Sequence, residues 1–256
     1  MTVEILAFAP ESTRTRAMYD ALTIAAASTG IQVTATTEYQ GTSDLLMLWG
    51  PGHPARWPAM QAQSARGGHS AVWDASYWSR ESKFRVSIDD AHPAAWVMRR
   101  QWPRNRWDDD PAPVANAWDQ DGPIVVAGLG TKARVQYGAG TVDAWEADMM
   151  RQCRARWPGR LIVYRAKPSV GPIDQALTRA SLLVTWHSNV AVDAIRMGIP
   201  VVCRDGAAAA VCSSTLDGAS ALSVEDRNQF LSNLAYFQWA PSEASECWQF
   251  LEELLR

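Results

Sequence analysis

Residues 182–203, LLVTWHSNVAVDAIRMGIPVVC, combine two apolar runs with a segment of helical spacing between them. Leu182–Thr185 is a short apolar run, Val190–Met197 has helical spacing, and a second apolar run covers Pro200–Cys203. Apolar runs that alternate with helical segments are the sign of β-α-β units and a parallel sheet. This stretch therefore predicts a strand, a helix and a second strand of an α/β protein, with polar residues at 187–189 where the first strand ends.

The same alternation continues along most of the chain. The predicted strands are Val3–Ala9, Ile31–Thr36, Asp44–Trp49, Ser70–Asp74, Pro123–Gly128, Leu161–Tyr164, Leu182–Thr185 and Pro200–Cys203. The predicted helices are Thr13–Ser28, 55–65, Thr141–Trp157, 173–180, Val190–Met197, Val224–Trp239 and Ser242–Leu255. Residues 103–122, rich in proline and acidic side chains, interrupt the pattern and predict a linker. We therefore expect two α/β domains, residues 1–115 and 116–256.

Composition and charge narrow the class of protein only a little. The 256 residues carry a net charge of −3 and have a pI of about 5.8, so no global basic field indicates nucleic-acid binding. A local basic cleft stays open as an alternative. The four cysteines form no CxxC pair, which favours buried free thiols. The N-terminus lacks the pattern of a secretory signal, and no apolar run is long enough for a membrane span, so we expect a cytoplasmic protein.

Polar and cationic residues follow each predicted strand of the second domain. Residues 128–134 follow the first strand, Arg165 and Lys167 the second, and His187–Asn189 the third, while Arg204 comes after the fourth. In an open parallel sheet, ligands bind beyond the carboxyl ends of the strands. Glycines allow close backbone approach, and lysine and arginine neutralise negative charge. The sequence therefore predicts a site for an anion such as a diphosphate at this edge.

A purely structural role remains the alternative for part of this set. Ser188 or Asn189 is well placed to cap the helix that begins at Val190. Asp193 lies about one turn inside the same helix, near its positive end, where a carboxylate is electrostatically favoured in any case.

The same residues resemble the donor-site signature of GT-B glycosyltransferases. Ser188–Ala194, followed by Gly198–Val202, is closest to the pattern S-T-x-G-x-E-A…G-x-P-V of the capsular-polysaccharide type. Tyr164–Pro168 is similar to their Y-R-P-H-P strand end, and Leu234–Trp239 is similar to the tail of glycosyltransferase-like proteins encoded by bacteriophages. The resemblance covers residues 122–256, and the N-terminal part is similar in architecture only.

The resemblance implies a fold and a type of chemistry. The implied fold has two Rossmann-like domains facing across a cleft, with C-terminal helices that pack back toward the N-terminal domain. The implied chemistry is metal-independent, with no cofactor and a nucleotide sugar, which we expect to be UDP-linked, as co-substrate. No DxD motif stands in a manganese-binding setting, since Asp108–Asp110 lies in the predicted linker.

Carried over residue by residue, the resemblance implies a donor-binding set. Its members are Gly128, Gly130, Thr131, Lys132, Arg165, Lys167, His187, Ser188, Asn189 and Asp193. His187–Asn189 would meet the donor phosphates, Arg165 and Lys167 would neutralise the leaving diphosphate, and the Gly128–Lys132 loop would close over it. Asp193 takes the place of the family glutamate that holds the ribose, with a reach one methylene shorter. Lys167 stands where the family has a histidine.

An inverting transferase also needs a base that deprotonates the acceptor hydroxyl. The catalytic candidates in the N-terminal domain are Asp89, Asp90 and His92, with Asp74 and Glu11 at other strand ends. Capping or solvated carboxylates are the alternative reading for each, and a retaining enzyme needs no such base. His53 and His69 lie in turns rich in glycine and proline and carry no predicted role.

The expected reaction moves a sugar from a nucleotide-sugar donor to an acceptor hydroxyl. The acceptor is either a hydroxymethylated base in phage DNA or a surface glycan. Arginines interleaved with tryptophans suit contacts to phosphates and stacked bases, although tryptophans that anchor a helix and the linker explain the same pattern. These residues are Arg99, Arg100, Arg104, Arg106, Trp96, Trp102 and Trp107. A sugar-nucleotide 2-epimerase of the same fold and a non-catalytic nucleotide-binding module are the alternative functions.

Overall fold

The structure, a computed structural model, describes residues 1–7, 12–50, 56–107, 119–167 and 173–256, apart from the side chains of Lys132, Gln136 and Asp174. The chain divides into two compact units. The first unit contains Met1–Trp96 together with Ala235–Arg256, and the second contains Val97–Leu234. Each unit is built on its own sheet.

Helices connect most of the successive strands in both units, as the apolar periodicity predicts. The described strands are β1 (Thr2–Leu6), β2 (Gln32–Thr36), β3 (Leu45–Trp49), β4 (His69–Ala75), β5 (Phe84–Ile88), β6 (Ile124–Ala127), β7 (Ile162–Arg165), β8 (Leu182–Thr185), β9 (Val201–Cys203) and β10 (Gln238–Trp239). The helices are α1 (Thr13–Thr29), α2 (Arg56–Ala65), α3 (Ala94–Val97), α4 (Thr131–Tyr137), α5 (Ala139–Arg156), α6 (Ile173–Leu177), α7 (Val190–Arg196), α8 (Val224–Ala235) and α9 (Ala244–Leu255). Within the described ranges, none of these helices is both long and apolar enough to cross a membrane.

The first sheet has six strands in the order β10-β5-β4-β3-β1-β2. Strands β1 to β4 are mutually parallel, and β5 is antiparallel to β4. Leu45–Leu48 of β3 are fully buried, which is why this strand is apolar at every position rather than at alternate ones. Burial of each such leucine stabilises the fold by about 1.5–3 kcal/mol.

The end of α8 corrects one sequence-based prediction. The helix expected over Val224–Trp239 stops at Ala235, and Trp239 instead pairs with Phe84 as part of strand β10. Phe237 and Trp239 are buried, and the backbone N–H of Val86 donates to the Phe237 carbonyl at 2.8 Å. The sheet thus buries the apolar side chains of this segment and pairs its backbone groups. This tertiary pairing outweighs the helical spacing of the apolar residues, so the segment forms a strand.

The final helix packs within the first unit. Helix α9 lies against α1, and the indole N–H of Trp248 donates to the Leu22 carbonyl at 2.8 Å. Both residues are fully buried, so the bond satisfies an indole donor that burial would otherwise leave without water.

The second sheet has four parallel strands in the order β7-β6-β8-β9. One face packs on α5, where Ile124 and Val126 of β6 meet Met149 and Cys153 in one apolar cluster. This parallel arrangement, with a helical connection between successive strands, is Rossmann-like. The prediction of a mixed α/β protein with parallel sheets is therefore confirmed.

All four cysteines are free, and Cys153, Cys203 and Cys247 are buried. Burial raises the pKa of the Cys153 thiol to about 11 and that of Cys212 to about 12. Since the thiolate is the reactive form of cysteine, these side chains are poor nucleophiles at neutral pH. They contribute packing, as the sequence predicts.

Candidate functional site

The strands of the second sheet end together at one edge. Ala127, the last residue of β6, lies opposite Arg165 of β7 and opposite Thr185 of β8. Thr185 in turn lies opposite Cys203, where β9 ends. Because all four strands are parallel, the segments that follow them leave the sheet at the same edge. The residues of the expected donor-binding set therefore end or follow three neighbouring strands.

The chain reverses its direction of winding at β6. It passes from β6 to β7 on one side and then returns to form β8 on the other side. Crossover connections between parallel strands are right-handed, so the helices before and after this reversal cover opposite faces of the sheet. Open α/β sheets bind ligands at the carboxyl ends of strands that flank such a reversal. Here the flanking segments are residues 128–130 and 186–189.

Close packing joins the segment after β6 to the end of β7. The backbone N–H of Gly128 donates to the Arg165 carbonyl at 2.9 Å. A Cβ on Gly128 would lie 2.5 Å from the Tyr164 hydroxyl oxygen, so any larger residue here would force the tyrosine to shift. A Cβ on Gly130 would lie 3.3 Å from Cδ of Lys167, which shows that the lysine stem passes directly over this glycine. Two expected donor-site loops are thus in contact.

A buried carboxylate, Glu146 of α5, fixes this loop. One oxygen accepts the backbone N–H of Leu129 at 2.8 Å. The other accepts the Tyr164 hydroxyl at 2.6 Å and Nη2 of Arg134 at 2.8 Å. Burial, together with the bond to Glu146, raises the pKa of Tyr164 to about 12. Helix α5, strand β7 and the loop after β6 are therefore tied to one residue.

Arg134 belongs to the same network. It pairs with Asp143 as well as Glu146, and hydrogen bonding to Asp143 raises its pKa. Its charge is therefore balanced by two carboxylates of α5. Two cations of the expected donor-binding set end or follow β7: Arg165 is half-buried at the end of the strand, and Lys167 is exposed.

Helix α4 begins at Thr131, so Thr131 and Lys132 form its first turn rather than the end of a loop. Gly130 is the N-cap and has an extended backbone. The irregular part of the expected Gly128–Lys132 loop is thus Gly128 to Gly130. This short loop keeps its glycines next to β7.

An aromatic cluster forms the segment after β8. The buried ring of Trp186 lies 5.1 Å from that of Tyr137 and 5.5 Å from that of Trp145, measured between centroids. The His187 ring lies 5.4 Å from the same tyrosine ring. Tyr137 ends α4, so this contact places His187 beside the C-terminal end of α4.

The capping alternative for Ser188 and Asn189 finds little support in the geometry. Asn189 is the N-cap residue of α7, but its backbone is helical, and within the described chain its side chain makes no capping hydrogen bond. An N-cap side chain usually needs an extended backbone to reach back to the helix. The Ser188 hydroxyl lies 3.5 Å from the Val190 nitrogen, which is long for such a bond. Asp193 is half-buried one turn further on.

The acidic catalytic candidates lie at a different edge of their own sheet. Because β5 is antiparallel to β4, Asp89 follows β5 beside Ser70, at the amino end of the parallel strands. Its carboxylate accepts the Ser70 N–H at 2.8 Å and lies 2.8 Å from Nδ1 of His69. Its φ of +61° lets the side chain fold back onto the strand. Asp90 accepts the N–H of Ala91 at 2.6 Å.

His92 lies in a buried network with Arg85. Nη1 of Arg85 is 2.7 Å from Nδ1 of His92, so the guanidinium donates and the imidazole accepts. Nη2 of the same arginine is 2.9 Å from a carboxylate oxygen of Asp74, in strand β4 near its carboxyl end. The Asp74 side chain is 41% exposed, whereas Arg85 and His92 are buried.

Of the remaining candidate residues, some lie in the described part of the chain and others lie outside it. Trp107 is buried, and the Arg104 guanidinium lies 4.6 Å from its ring. The side chain of Asn233 in α8 accepts the N–H of Trp102 and donates to the carbonyl of Arg100. Anchoring thus accounts for these tryptophans, while Arg99, Arg100 and Arg104 are exposed. Glu11, His53 and Asp108–Asp110 lie outside the described residues.

Sequence reasoning missed Glu146, although a signal was present. Buried positions on α5 include Val142, Glu146, Met149 and Cys153, which share one helical face. A glutamate in an otherwise apolar stripe is almost always paired or hydrogen-bonded. The place of Glu146 in this apolar stripe therefore indicated that a hydrogen-bonding or ionic partner lies next to it.

Two solved structures are similar to this chain in fold. That of KpsC from Thermosulfurimonas dismutans, a beta Kdo 2,7 transferase, aligns over 98% of this chain and 99% of its own, with a TM-score of 0.51 and 12% sequence identity. The fold is glycosyltransferase-like. The beta Kdo 2,4 transferase of KpsC from the same organism aligns over 95% and 94%, with a TM-score of 0.51 and 11% identity. No family model matches the sequence, and no curated protein sequence matches it.

Proposed function

We propose that this protein is a glycosyltransferase of the metal-independent GT-B type, which moves a sugar from a nucleotide-sugar donor to an acceptor hydroxyl. The observation that carries the proposal is the meeting of three strand ends, marked by Ala127, Arg165 and Thr185, at a reversal of winding. The glycosyltransferase-like fold supports the class of reaction.

The donor is proposed to bind at the edge formed by β6, β7 and β8. The N–H groups of Gly128 and Leu129 are already bonded to the Arg165 carbonyl and to Glu146, so the backbone donor of this loop that is proposed to meet the ligand is the N–H of Gly130. Arg165 and Lys167 supply positive charge for the leaving phosphate groups, and such preorganised charge is often the largest contribution to catalysis. His187, Ser188 and Asn189 add hydrogen-bonding groups from the next strand end, with Thr131 and Lys132 at the start of α4. Asp193 is the proposed partner of the ribose hydroxyls.

The base is proposed to be Asp74, ahead of Asp89, Asp90 and His92. Asp74 lies near the carboxyl end of β4, the edge at which ligands of parallel sheets bind, whereas Asp89 lies at the amino end. Protonation of His92 at Nδ1 would break its bond from Arg85, which disfavours proton transfer at that atom.

The proposed acceptor is a glycan hydroxyl, and the printed names of the two similar structures, beta Kdo 2,7 and beta Kdo 2,4 transferase, support this choice. A hydroxymethylated base in phage DNA offers the same chemical group and is the second choice. In either case the acceptor is the nucleophile, and the nucleotide is released.

A turnover assay tests the proposal. The protein is incubated with UDP-, GDP-, CMP- and dTDP-sugars, with and without a panel of glycan and DNA acceptors, and the released nucleotide is measured. We expect release from one donor class that depends on an acceptor, and that falls about tenfold or more in Arg165→Ala because a charge-assisted contact is lost. The matched control is Arg154→Ala on the exposed surface of α5, with unchanged turnover. Epimerised donor without an acceptor would indicate a 2-epimerase, and binding without turnover a non-catalytic module; either result contradicts the proposal.

A further inference from the structure

Arg204, the first residue after β9, is stacked on the aromatic cluster at the same edge. Its guanidinium carbon lies 4.1 Å from the centroid of the Trp186 ring. That ring is only 4% exposed and is held from other sides by Tyr137 and Trp145. A guanidinium over a fixed indole face gains a cation–π attraction and is restricted in its motion.

The backbone around Arg204 is held against the segment after β8. The N–H of Arg204 donates to the Thr185 carbonyl at 3.2 Å, and the next N–H donates to the Trp186 carbonyl at 2.6 Å. Gly206 has a φ of +88°, and a Cβ there would lie 3.0 Å from the carbonyl oxygen of His187. This close approach needs glycine, and it places the segment of Arg204 beside His187.

The charge of Arg204 is directed outward. The side chain is exposed, and in the part of the chain that the structure describes no carboxylate forms an ion pair with it. Arg134 at the same edge is different, since two carboxylates of α5 balance it. The neighbouring Asp205 carboxylate is bonded to the Tyr137 hydroxyl and to the Gly206 N–H.

We propose that Arg204 is a further phosphate-binding residue, and that it binds an oxygen of the donor phosphates from the fourth strand end. This inference rests on the proposed function, since it concerns the same ligand. The planar guanidinium presents N–H donors that match phosphate oxygens two at a time, which lysine does not do. Stacking on Trp186 holds it beside His187 before the ligand arrives, so little side-chain entropy is lost on binding.

Calorimetric titration with UDP, GDP, CMP and dTDP, the nucleotides that the four donor classes would release, tests the inference without requiring turnover. We expect one of them to bind the wild-type protein, and Arg204→Ala to raise its Kd by about tenfold or more, as for loss of a hydrogen bond to a charged group. Arg204→Lys retains the positive charge but lacks the two-pronged guanidinium, so its Kd should lie between those of the wild type and Arg204→Ala. Arg154→Ala removes one exposed positive charge from α5 and should bind like the wild type. Added salt should narrow the difference between Arg204→Ala and the wild type.

The possible results separate this inference from the proposed function. Wild-type affinity in Arg204→Ala overturns the role of Arg204 while leaving the donor site in place. An equal loss in Arg154→Ala also overturns it, because the effect would then come from net charge alone. No binding of any of the four nucleotides to the wild type overturns both proposals. If Arg204→Ala lowers the Tm, Arg204→Gln, which keeps the stem over Trp186, replaces it in the same comparison.

Discussion

At the scale of single residues, Glu146 holds the loop, the strand and the helix around the candidate site in place, although it is not itself an expected ligand of the donor. Its two oxygens accept hydrogen bonds from Leu129, Tyr164 and Arg134, which come from the loop after β6, from β7 and from α4. A buried carboxylate is stable only when it is so compensated. The same bonds that satisfy Glu146 therefore also fix the position of the glycine loop.

We predict that Glu146→Gln destabilises the protein. An amide offers one acceptor oxygen in place of two, and its N–H₂ group would face a donor of Arg134 or Leu129. The expected loss in the free energy of unfolding is about 1–3 kcal/mol, measured by urea denaturation. Glu81→Gln, at an exposed turn position, makes the same chemical change and should alter it by less than about 0.5 kcal/mol. Equal unfolding midpoints for the two variants would contradict the account.

Single residues also show where sequence reasoning reaches its limit. Arg165 and Lys167 were recognisable because they directly follow a predicted strand, and local order along the chain is enough for that inference. Arg134 follows the same loop as the expected ligands, yet Asp143 and Glu146 of α5 balance its charge. Pairing between helices depends on their packing, which no local pattern of charges reveals.

At the scale of elements, the loop from Gly128 to Gly130 is shaped by the strand beside it. Its first glycine is in contact with the Tyr164 hydroxyl, and its second lies under the stem of Lys167. Neither glycine has a left-handed backbone, so close approach of the neighbouring side chains, rather than conformation, explains them. The loop and the end of β7 therefore form one unit.

A pair of glycine substitutions tests this explanation. In Gly128→Ala the new Cβ would lie 2.5 Å from the Tyr164 hydroxyl oxygen, so we expect a loss of about 1–3 kcal/mol in the free energy of unfolding from overpacking. In the matched control Gly140→Ala the Cβ has no neighbour within 4 Å, and the position lies within helix α5, so stability should rise by about 0.5–1 kcal/mol. Tyr164→Phe should relieve part of the first loss in the double variant. Equal effects of the two glycine substitutions, by urea denaturation, would argue against close packing.

The elements also differ in how far the sequence predicts them. The boundaries of β8 match the expectation because three apolar residues followed by the β-branched Thr185 favour a buried strand in an α/β protein. Strands β5 and β10 were not predicted. Strand β10 is only two residues long and pairs with a strand far away in sequence, so its conformation is decided by tertiary contacts.

At the scale of the whole molecule, two sheets of mainly parallel strands carry the expected kind of fold, and the alignment with the two transferase structures extends over nearly the full chain. The sequence could predict which residues follow which strand of the second sheet. It could not predict the strand order, which makes β6 the neighbour of both β7 and β8 and so brings their ends together. This order follows from long-range packing, and the central claim about a donor site depends on it.

Thermal unfolding with UDP-, GDP-, CMP- and dTDP-sugars detects donor binding without an acceptor. It is applied to the wild type and to Arg165→Ala, His187→Ala and Arg154→Ala. At about 100 times its Kd, a ligand that binds only the folded state stabilises it by about 2.7 kcal/mol, which for a chain of this size raises the Tm by about 5–10 °C. We predict such a rise with one nucleotide class for the wild type and Arg154→Ala, and a much smaller one for Arg165→Ala and His187→Ala, with all four proteins folded. A Tm that no nucleotide sugar changes, or a rise that persists in full in Arg165→Ala and His187→Ala, would contradict the proposed donor site.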